Sequence, residues 1–154
     1  MSISEGTKAP DFTMPATGGR TVSLKELKGK PFVLYFYPRA DTPGCTKEAC
    51  AFQEGLPDFA KLDVTIIGVS KDSMKALEKF AGKYSLAFPL ASDPDNQVID
   101  AYGAWQEKSM YGKTYMGIER STVLVDSAGK VAKIWPKVKV PGHAEEVLQA
   151  VQAL

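Results

Sequence analysis

Two stretches of the chain are predominantly apolar, and each precedes a segment in which apolar residues recur at helical spacing. Residues 31–37 and 64–70 are rich in β-branched and aromatic residues, as is typical of strands buried on both faces. Helices are predicted over residues 45–62 and 73–84, and Pro57 is expected to interrupt or kink the first of them near its end. Strand, helix and strand in this order form a βαβ unit, whose two strands run parallel.

Shorter elements flank this unit on both sides. They are strands over 11–14 and 21–24 around a Gly-Gly turn, one helical turn over 23–27, a helix over 96–102, strands over 122–126 and 131–135, and a helix over 143–153. A mixed central sheet flanked by helices accommodates this order, with the N-terminal β-hairpin as an extension. The predicted fold class is therefore α/β with a thioredoxin-like arrangement.

Length and charge narrow the possible classes of protein. A chain of 154 residues fits one domain over residues 1–154. With 19 basic and 18 acidic residues, the net charge of +1 provides no field for nucleic acid or an anionic membrane surface. Apolar runs are far shorter than the roughly 20 residues that cross a bilayer, and the first residues do not resemble a secretory signal. A cytoplasmic enzyme is expected.

The chain contains two cysteines, Cys45 and Cys50, and one histidine, His143. A disulfide between cysteines five positions apart closes a small loop and adds little stability through chain entropy. Three or four Cys/His ligands for zinc are not available, and the aspartates near residues 93–100 lack the regular spacing of a calcium loop. The cysteines therefore indicate chemistry, and no metal or other cofactor is expected.

The segment between the first buried strand and its helix carries the candidate chemistry. Thr42 is expected to cap the helix and Pro43 to be its first residue, so that Cys45 falls in the first turn. There the sulfur faces the positive end of the helix dipole and unpaired amides, which favour the nucleophilic thiolate. Gly44 lets the backbone approach a small substrate, and the Thr42 hydroxyl can donate to that substrate or accept from it.

These residues resemble the active-site motif of the peroxiredoxins. The pattern Pro38-x-x-x-Thr42-x-x-Cys45 matches the family motif, and the spacing to Cys50 is similar to that of the bacterioferritin-comigratory-protein (PrxQ) branch. The resemblance covers nearly the whole chain, from Gly-Thr-Lys-Ala-Pro-Asp-Phe at residues 6–12 to Arg-Ser-Thr-Val-Leu-Val-Asp at residues 120–126.

The resemblance implies a thiol peroxidase that reduces hydrogen peroxide and organic hydroperoxides to water or alcohols. Cys45 would attack the peroxide and become a sulfenic acid. Pro38 would shield Cys45, Thr42 would position the peroxide, and Arg120 would support the thiolate and the peroxide oxygens. Cys50 would resolve the sulfenic acid as an intramolecular disulfide, which thioredoxin, glutaredoxin or both would reduce. The preferred hydroperoxide stays open, and a monomer is expected.

A bond between Cys45 and Cys50 conflicts with the helix that carries both residues. On a regular helix their Cα atoms would lie roughly 9 Å apart, whereas a disulfide needs them within about 7 Å. The first turns of the helix are therefore expected to unravel after oxidation. If Cys50 is unreactive, the protein would be a one-cysteine enzyme served directly by an external thiol.

Two other classes and three further side chains complete the sequence-based hypotheses. A general thiol–disulfide oxidoreductase is disfavoured because Thr42 stands where the first cysteine of Cys-x-x-Cys would fall. A redox sensor or holdase would need an effector surface, and the sequence contains no patch that suggests one. Glu48 either holds the active-site loop by hydrogen bonds or is a helix-surface acid. Arg39 is expected to face solvent, and a hydrolase dyad of Cys45 with His143 is not expected.

Overall fold

A seven-stranded mixed sheet is the centre of this computed structural model, which describes residues 3–154. The elements of that part of the chain are, in order, β1 (Thr13–Ala16), β2 (Arg20–Ser23), α1 (Leu24–Leu27), β3 (Phe32–Phe36), α2 (Pro43–Lys61), β4 (Thr65–Ser70), α3 (Met74–Tyr84), β5 (Leu90–Ser92), α4 (Gln97–Ala101), β6 (Trp105–Met110), β7 (Lys113–Ile118), β8 (Ser121–Val125), β9 (Val131–Trp135) and α5 (His143–Gln152). The strands of the large sheet are arranged as β2-β1-β5-β4-β3-β8-β9.

Strand β3 lies in the middle of the sheet and is buried at every position, as the continuous apolar run predicts. It pairs in parallel with β4 and antiparallel with β8, so the predicted βαβ unit and mixed sheet are confirmed. Side chains alternate between the two faces of a strand, and both faces of β3 are covered. One face packs against α1 and α4, whereas α2, α3 and α5 cover the other.

Helix α2 begins two residues earlier than predicted and continues through Pro57, so Pro57 does not interrupt it, and the alternative of a kink stays a prediction. Pro57 is exposed, whereas Phe52 and Phe59 on either side of it are fully buried against the core. The packing of these two rings holds the helix across the hydrogen bond that a proline cannot donate.

Three strands, β5, β6 and β7, are not predicted from the sequence. Strand β5 has three residues and joins the N-terminal hairpin to the sheet through β1, so the hairpin extends the central sheet at one edge. Strands β6 and β7 pair with each other in a separate two-stranded ribbon. Its turn residues, Tyr111 and Gly112, both have positive φ, as in the two-residue hairpin turns of type I′.

The helices of residues 3–154 include none that is long and apolar enough to span a membrane. Within the same residues, no group of three or more His, Cys, Asp or Glu side chains is arranged to hold a metal ion.

Candidate active site

Cys45 lies in the first turn of α2, just beyond the carboxyl end of β3. Thr42 has the extended backbone of an N-cap residue and Pro43 is the first helical residue, so Cys45 is the third, as predicted. The thiol is 1% exposed and packs on the face of the sheet that carries Tyr35 and Tyr37. The sequence therefore places a buried thiol at the positive end of a 19-residue helix.

The Thr42 hydroxyl does not cap the helix, and this part of the sequence-based prediction is wrong. The hydroxyl donates instead to the backbone carbonyl of Arg39 in the preceding loop, at 2.9 Å. Because Pro43 has no N–H, the first two amides of α2 belong to Gly44 and Cys45, and neither has an acceptor within residues 3–154. The site therefore presents two free backbone donors beside the sulfur, suited to an oxygen atom that gains negative charge.

Arg120 immediately precedes the adjacent strand, β8, and its side chain reaches the sulfur. Its Nη2 atom donates to Cys45 Sγ at 3.2 Å, and its Nη1 atom donates to Glu48 Oε1 at 2.7 Å. The pairing of Phe36 with Ser121 positions Arg120, because it puts the start of β8 at the carboxyl edge of β3. The structure thus brings Arg120 and Cys45 together, and a guanidinium with 18% of its side chain exposed connects the thiol to the carboxyl group of Glu48.

Glu48 is buried one turn after Cys45, so the alternative of a helix-surface acid is wrong, and its hydrogen bond goes to Arg120 rather than to the loop. Burial raises the pKa of Glu48 to about 7, against the opposing effect of the Arg120 charge. Burial works against the charge of Arg120, but Glu48 and Cys45 together raise the pKa of that guanidinium. Glu48 is therefore an ion-pair partner that can take up a proton near neutral pH.

Gly44 has a second reason to be glycine besides close approach of a substrate. A Cβ atom built on Gly44 would lie 3.1 Å from Arg120 Nη2. That distance is closer than ordinary van der Waals contact, so with a side chain there the guanidinium would have to shift by a few tenths of an ångström. Gly44 therefore makes room for Arg120, a role that becomes visible only when the two segments are brought together.

The remaining candidate residues lie around this centre. Cys50 is half-buried on α2, and both cysteines are free thiols on an unbroken helix. Pro38 and Arg39 are exposed in the loop, and for Arg39 this is the predicted environment. The shielding role of Pro38 stays a prediction.

His143 belongs to a different network, which excludes the dyad with Cys45. Its Nε2 atom lies 2.7 Å from the Thr122 hydroxyl and its Nδ1 atom 3.2 Å from Glu146. Burial lowers the pKa of His143, although Glu146 opposes this effect. The His143 ring also packs edge to face against the Phe52 ring of α2.

Comparisons with known proteins show the family to which the chain belongs. A model of the AhpC/TSA family matches residues 6–134. The chain is 48% identical to Peroxiredoxin Bcp of Bacillus subtilis (strain 168), over 99% of this chain and 97% of the relative. It is 40% identical to Peroxiredoxin Bcp of Escherichia coli (strain K12), over 95% and 94% respectively.

Solved structures give the same relationship in three dimensions. The Bacterioferritin Comigratory Protein of Xanthomonas campestris, studied for its alkyl peroxide reduction activity, superimposes with a TM-score of 0.91 at 42% identity, over 97% of this chain and 98% of that one. A PrxQ mutant of Xylella fastidiosa superimposes with a TM-score of 0.93 at 36% identity, over 99% and 98%. The chain therefore belongs to the AhpC/TSA family and is a thiol peroxidase with the thioredoxin-like fold, a peroxiredoxin of the Bcp/PrxQ branch.

Proposed function

We propose that Cys45 is the nucleophile of this peroxidase and that it attacks the oxygen–oxygen bond of a hydroperoxide. The observation that carries the proposal is the 3.2 Å hydrogen bond from Arg120 to the Cys45 sulfur, made at the amino end of α2. A guanidinium and a helix amino end both stabilise the thiolate, which is the reactive form of cysteine. The assignment thus rests on geometry as well as on the family motif.

The surrounding groups suit the two oxygens of the substrate. The Thr42 hydroxyl already gives its hydrogen to Arg39, so its oxygen is left to accept the hydrogen of the hydroperoxide and orient it. The free amides of Gly44 and Cys45 and the guanidinium of Arg120 stabilise the oxygens as the bond breaks. One sulfur–oxygen bond forms, the oxygen–oxygen bond breaks, and the leaving oxygen takes up a proton to become water or an alcohol. Cys45 is left as a sulfenic acid.

In the second step, the Cys50 thiol attacks the sulfenic sulfur, and water leaves as the disulfide forms. Both residues lie on the continuous helix α2, where Cα atoms five positions apart are roughly 9 Å from each other, so its first turns must open. Opening is favoured by the missing side-chain cap at Thr42 and by Gly44 and Thr46, which are weak helix formers. An external dithiol then reopens the bond.

Thioredoxin, glutaredoxin or both are proposed as the physiological reductant, with hydrogen peroxide and organic hydroperoxides as substrates. The alkyl peroxide reduction activity named for the Xanthomonas campestris relative supports the organic class. We further propose that the enzyme works as a monomer in the cytoplasm, a compartment in which such reductants keep thiols reduced.

Peptide mass spectrometry after one equivalent of hydrogen peroxide tests the two cysteine roles. The wild type is expected to yield a Cys45–Cys50 disulfide, and Cys50→Ser a sulfenic acid on Cys45 that dimedone traps. Cys45→Ser is the matched control and should keep its Cys50 thiol. A sulfenic acid on Cys50, or full turnover by Cys50→Ser with thioredoxin, would overturn the resolving role and leave a one-cysteine enzyme.

Hydrogen exchange tests the opening of the helix. Amides between Cys45 and Phe52 are expected to exchange faster in the oxidised protein than in the reduced one, whereas those of α5 should not change. Equal protection of residues 45–52 in the two forms would contradict the proposed opening.

A further inference from the structure

The loop that leads into α2 is tied to α3 by one carboxylate. Asp41 accepts hydrogen bonds from Lys83 Nζ at 3.0 Å and from the Tyr84 hydroxyl at 3.0 Å. Lys83 and Tyr84 are the last two residues of α3 and lie more than 40 positions away in the chain. We refer to Asp41, Lys83 and Tyr84 together as the Asp41 clasp.

The backbone of Asp41 depends on such support. Its φ of 60° lies in the left-handed region, which a non-glycine residue occupies at a cost unless neighbouring contacts hold it. On the other side of the loop, the amide of Ala40 donates to Asp72 Oδ2 at 2.8 Å, and the Ser70 hydroxyl donates to the same oxygen at 2.7 Å. The loop is thus anchored from two directions, and the clasp is its more exposed anchor.

The clasp also lies next to the hinge that the disulfide step requires. Asp41 directly precedes Thr42, whose carbonyl accepts the first hydrogen bond of α2 from the Thr46 amide at 2.8 Å. When the first turns of α2 open, Thr42 must move relative to α3, so the contacts of Asp41 with Lys83 and Tyr84 resist that movement. The hydrogen bonds from Lys83 and Tyr84 also lower the pKa of Asp41, which keeps the clasp charged at neutral pH.

We propose that the Asp41 clasp is a positioning device that holds Cys45 in its peroxide-reactive arrangement and limits the rate at which α2 opens to form the disulfide. The proposal rests on the disulfide step proposed above. It also predicts the fate of the sulfenic acid. A second hydroperoxide can oxidise Cys45 from the sulfenic to the sulfinic acid and is itself reduced to water or an alcohol. The longer the clasp keeps α2 closed, the more of this competing reaction occurs.

Because the clasp is exposed and charged, its effect should depend on salt concentration, unlike that of packing between buried side chains. The side chains of Lys83 and Asp41 are 54% and 39% exposed, so dissolved salt screens their attraction. High salt is therefore expected to speed disulfide formation in the wild type. A variant without the charge of Lys83 should respond less to salt, although Lys79 still attracts Asp41.

The test measures disulfide formation by rapid quenching, thiol alkylation and mass spectrometry after one equivalent of hydrogen peroxide at low salt. Lys83→Met and Tyr84→Phe are expected to form the disulfide about two- to five-fold faster than the wild type. The peroxide concentration that converts half of Cys45 to sulfinic acid should rise by a similar factor. Lys83→Arg keeps a positive charge that can contact Asp41. Lys75→Met removes an exposed lysine from the same helix and leaves the clasp unchanged. Both should behave like the wild type.

The outcomes separate this proposal from the proposed function. If the wild type forms no Cys45–Cys50 disulfide, the resolving step and the clasp proposal both fail. If every protein forms it at the same rate, the resolving step stands and the clasp proposal is overturned. Equal acceleration by Lys83→Met and Lys75→Met, or an undiminished salt response in Lys83→Met, would also overturn it, because the effect would then be one of general charge.

Discussion

Replacing Glu48 by glutamine keeps the size of a fully buried side chain and removes its ability to ionise. Burial raises the pKa of Glu48 from an ordinary value of 4.5 to about 7, although Arg120 opposes the shift. Between these pH values the folded protein favours the neutral carboxyl, whereas the unfolded chain favours the carboxylate. The free energy of unfolding of the wild type must therefore depend on pH through this one residue.

The sign and size of the effect follow from the two pKa values. The stability that the raised pKa provides is complete below about pH 4.5 and is lost as pH rises through about 7. At about 1.4 kcal/mol for each unit of difference, the loss amounts to roughly 3 kcal/mol. Glutamine contributes no such change. The wild type should therefore lose about 3 kcal/mol relative to Glu48→Gln between pH 4 and pH 8.

Urea unfolding of the reduced proteins at several pH values measures this difference. Contributions shared by both proteins, such as that of His143, cancel when the two free energies are subtracted. Glu54→Gln removes an exposed acid from the same helix and is the matched control, for which no comparable change is expected. A difference between wild type and Glu48→Gln that is constant from pH 4 to pH 8 would refute the reasoning, because the pKa of Glu48 would then be the same in the folded and the unfolded protein.

Three further substitutions probe the site and its surroundings. Gly44→Ala puts a methyl group 3.1 Å from Arg120 Nη2. It should lower the second-order rate constant with hydrogen peroxide about tenfold in stopped-flow measurements. An unchanged rate constant would argue against this crowding of Arg120. Arg120→Lys cannot contact both Cys45 and Glu48 as the guanidinium does, and a loss of about 100-fold in that rate constant is expected; a smaller loss than for Gly44→Ala would be inconsistent with this role. Thr122→Val leaves the buried Nε2 of His143 without its partner and should cost about 1–3 kcal/mol of stability in urea while peroxide reactivity is retained, so a loss of reactivity without a loss of stability would contradict it.

The parts of the fold that the sequence predicts are those with a strong local pattern. The buried runs at β3 and β4 and the helical spacing in α2 each determine a structure within a few residues, and the parallel pairing of β3 with β4 follows from them. Ribbon β6–β7 has no such pattern, because most of its side chains are exposed and charged or polar residues fall on both of its faces. Its only local signal is the Tyr111–Gly112 turn.

The candidate site also has features that the sequence predicts and features that it does not. Cys45 could be located from sequence because a strand, a proline at the first helical position and a thiol follow one another within a short segment. The contact of Arg120 with Glu48 could not be predicted from sequence, because it depends on the register of β3 against β8 across a long stretch of chain. Thr42 is the N-cap residue, but its hydroxyl makes no capping hydrogen bond because a nearby carbonyl in the loop competes for the same hydroxyl. That competition is decided by the three-dimensional path of the loop.

The central claim, that Cys45 beside Arg120 is the peroxide-reactive group, is tested most directly by stopped-flow oxidation of the reduced wild type, Cys45→Ser and Cys50→Ser with hydrogen peroxide, followed by a count of free thiols. The account predicts that Cys50→Ser reacts as fast as the wild type and that Cys45→Ser loses the fast reaction. Fast oxidation of Cys45→Ser at the wild-type rate would contradict it.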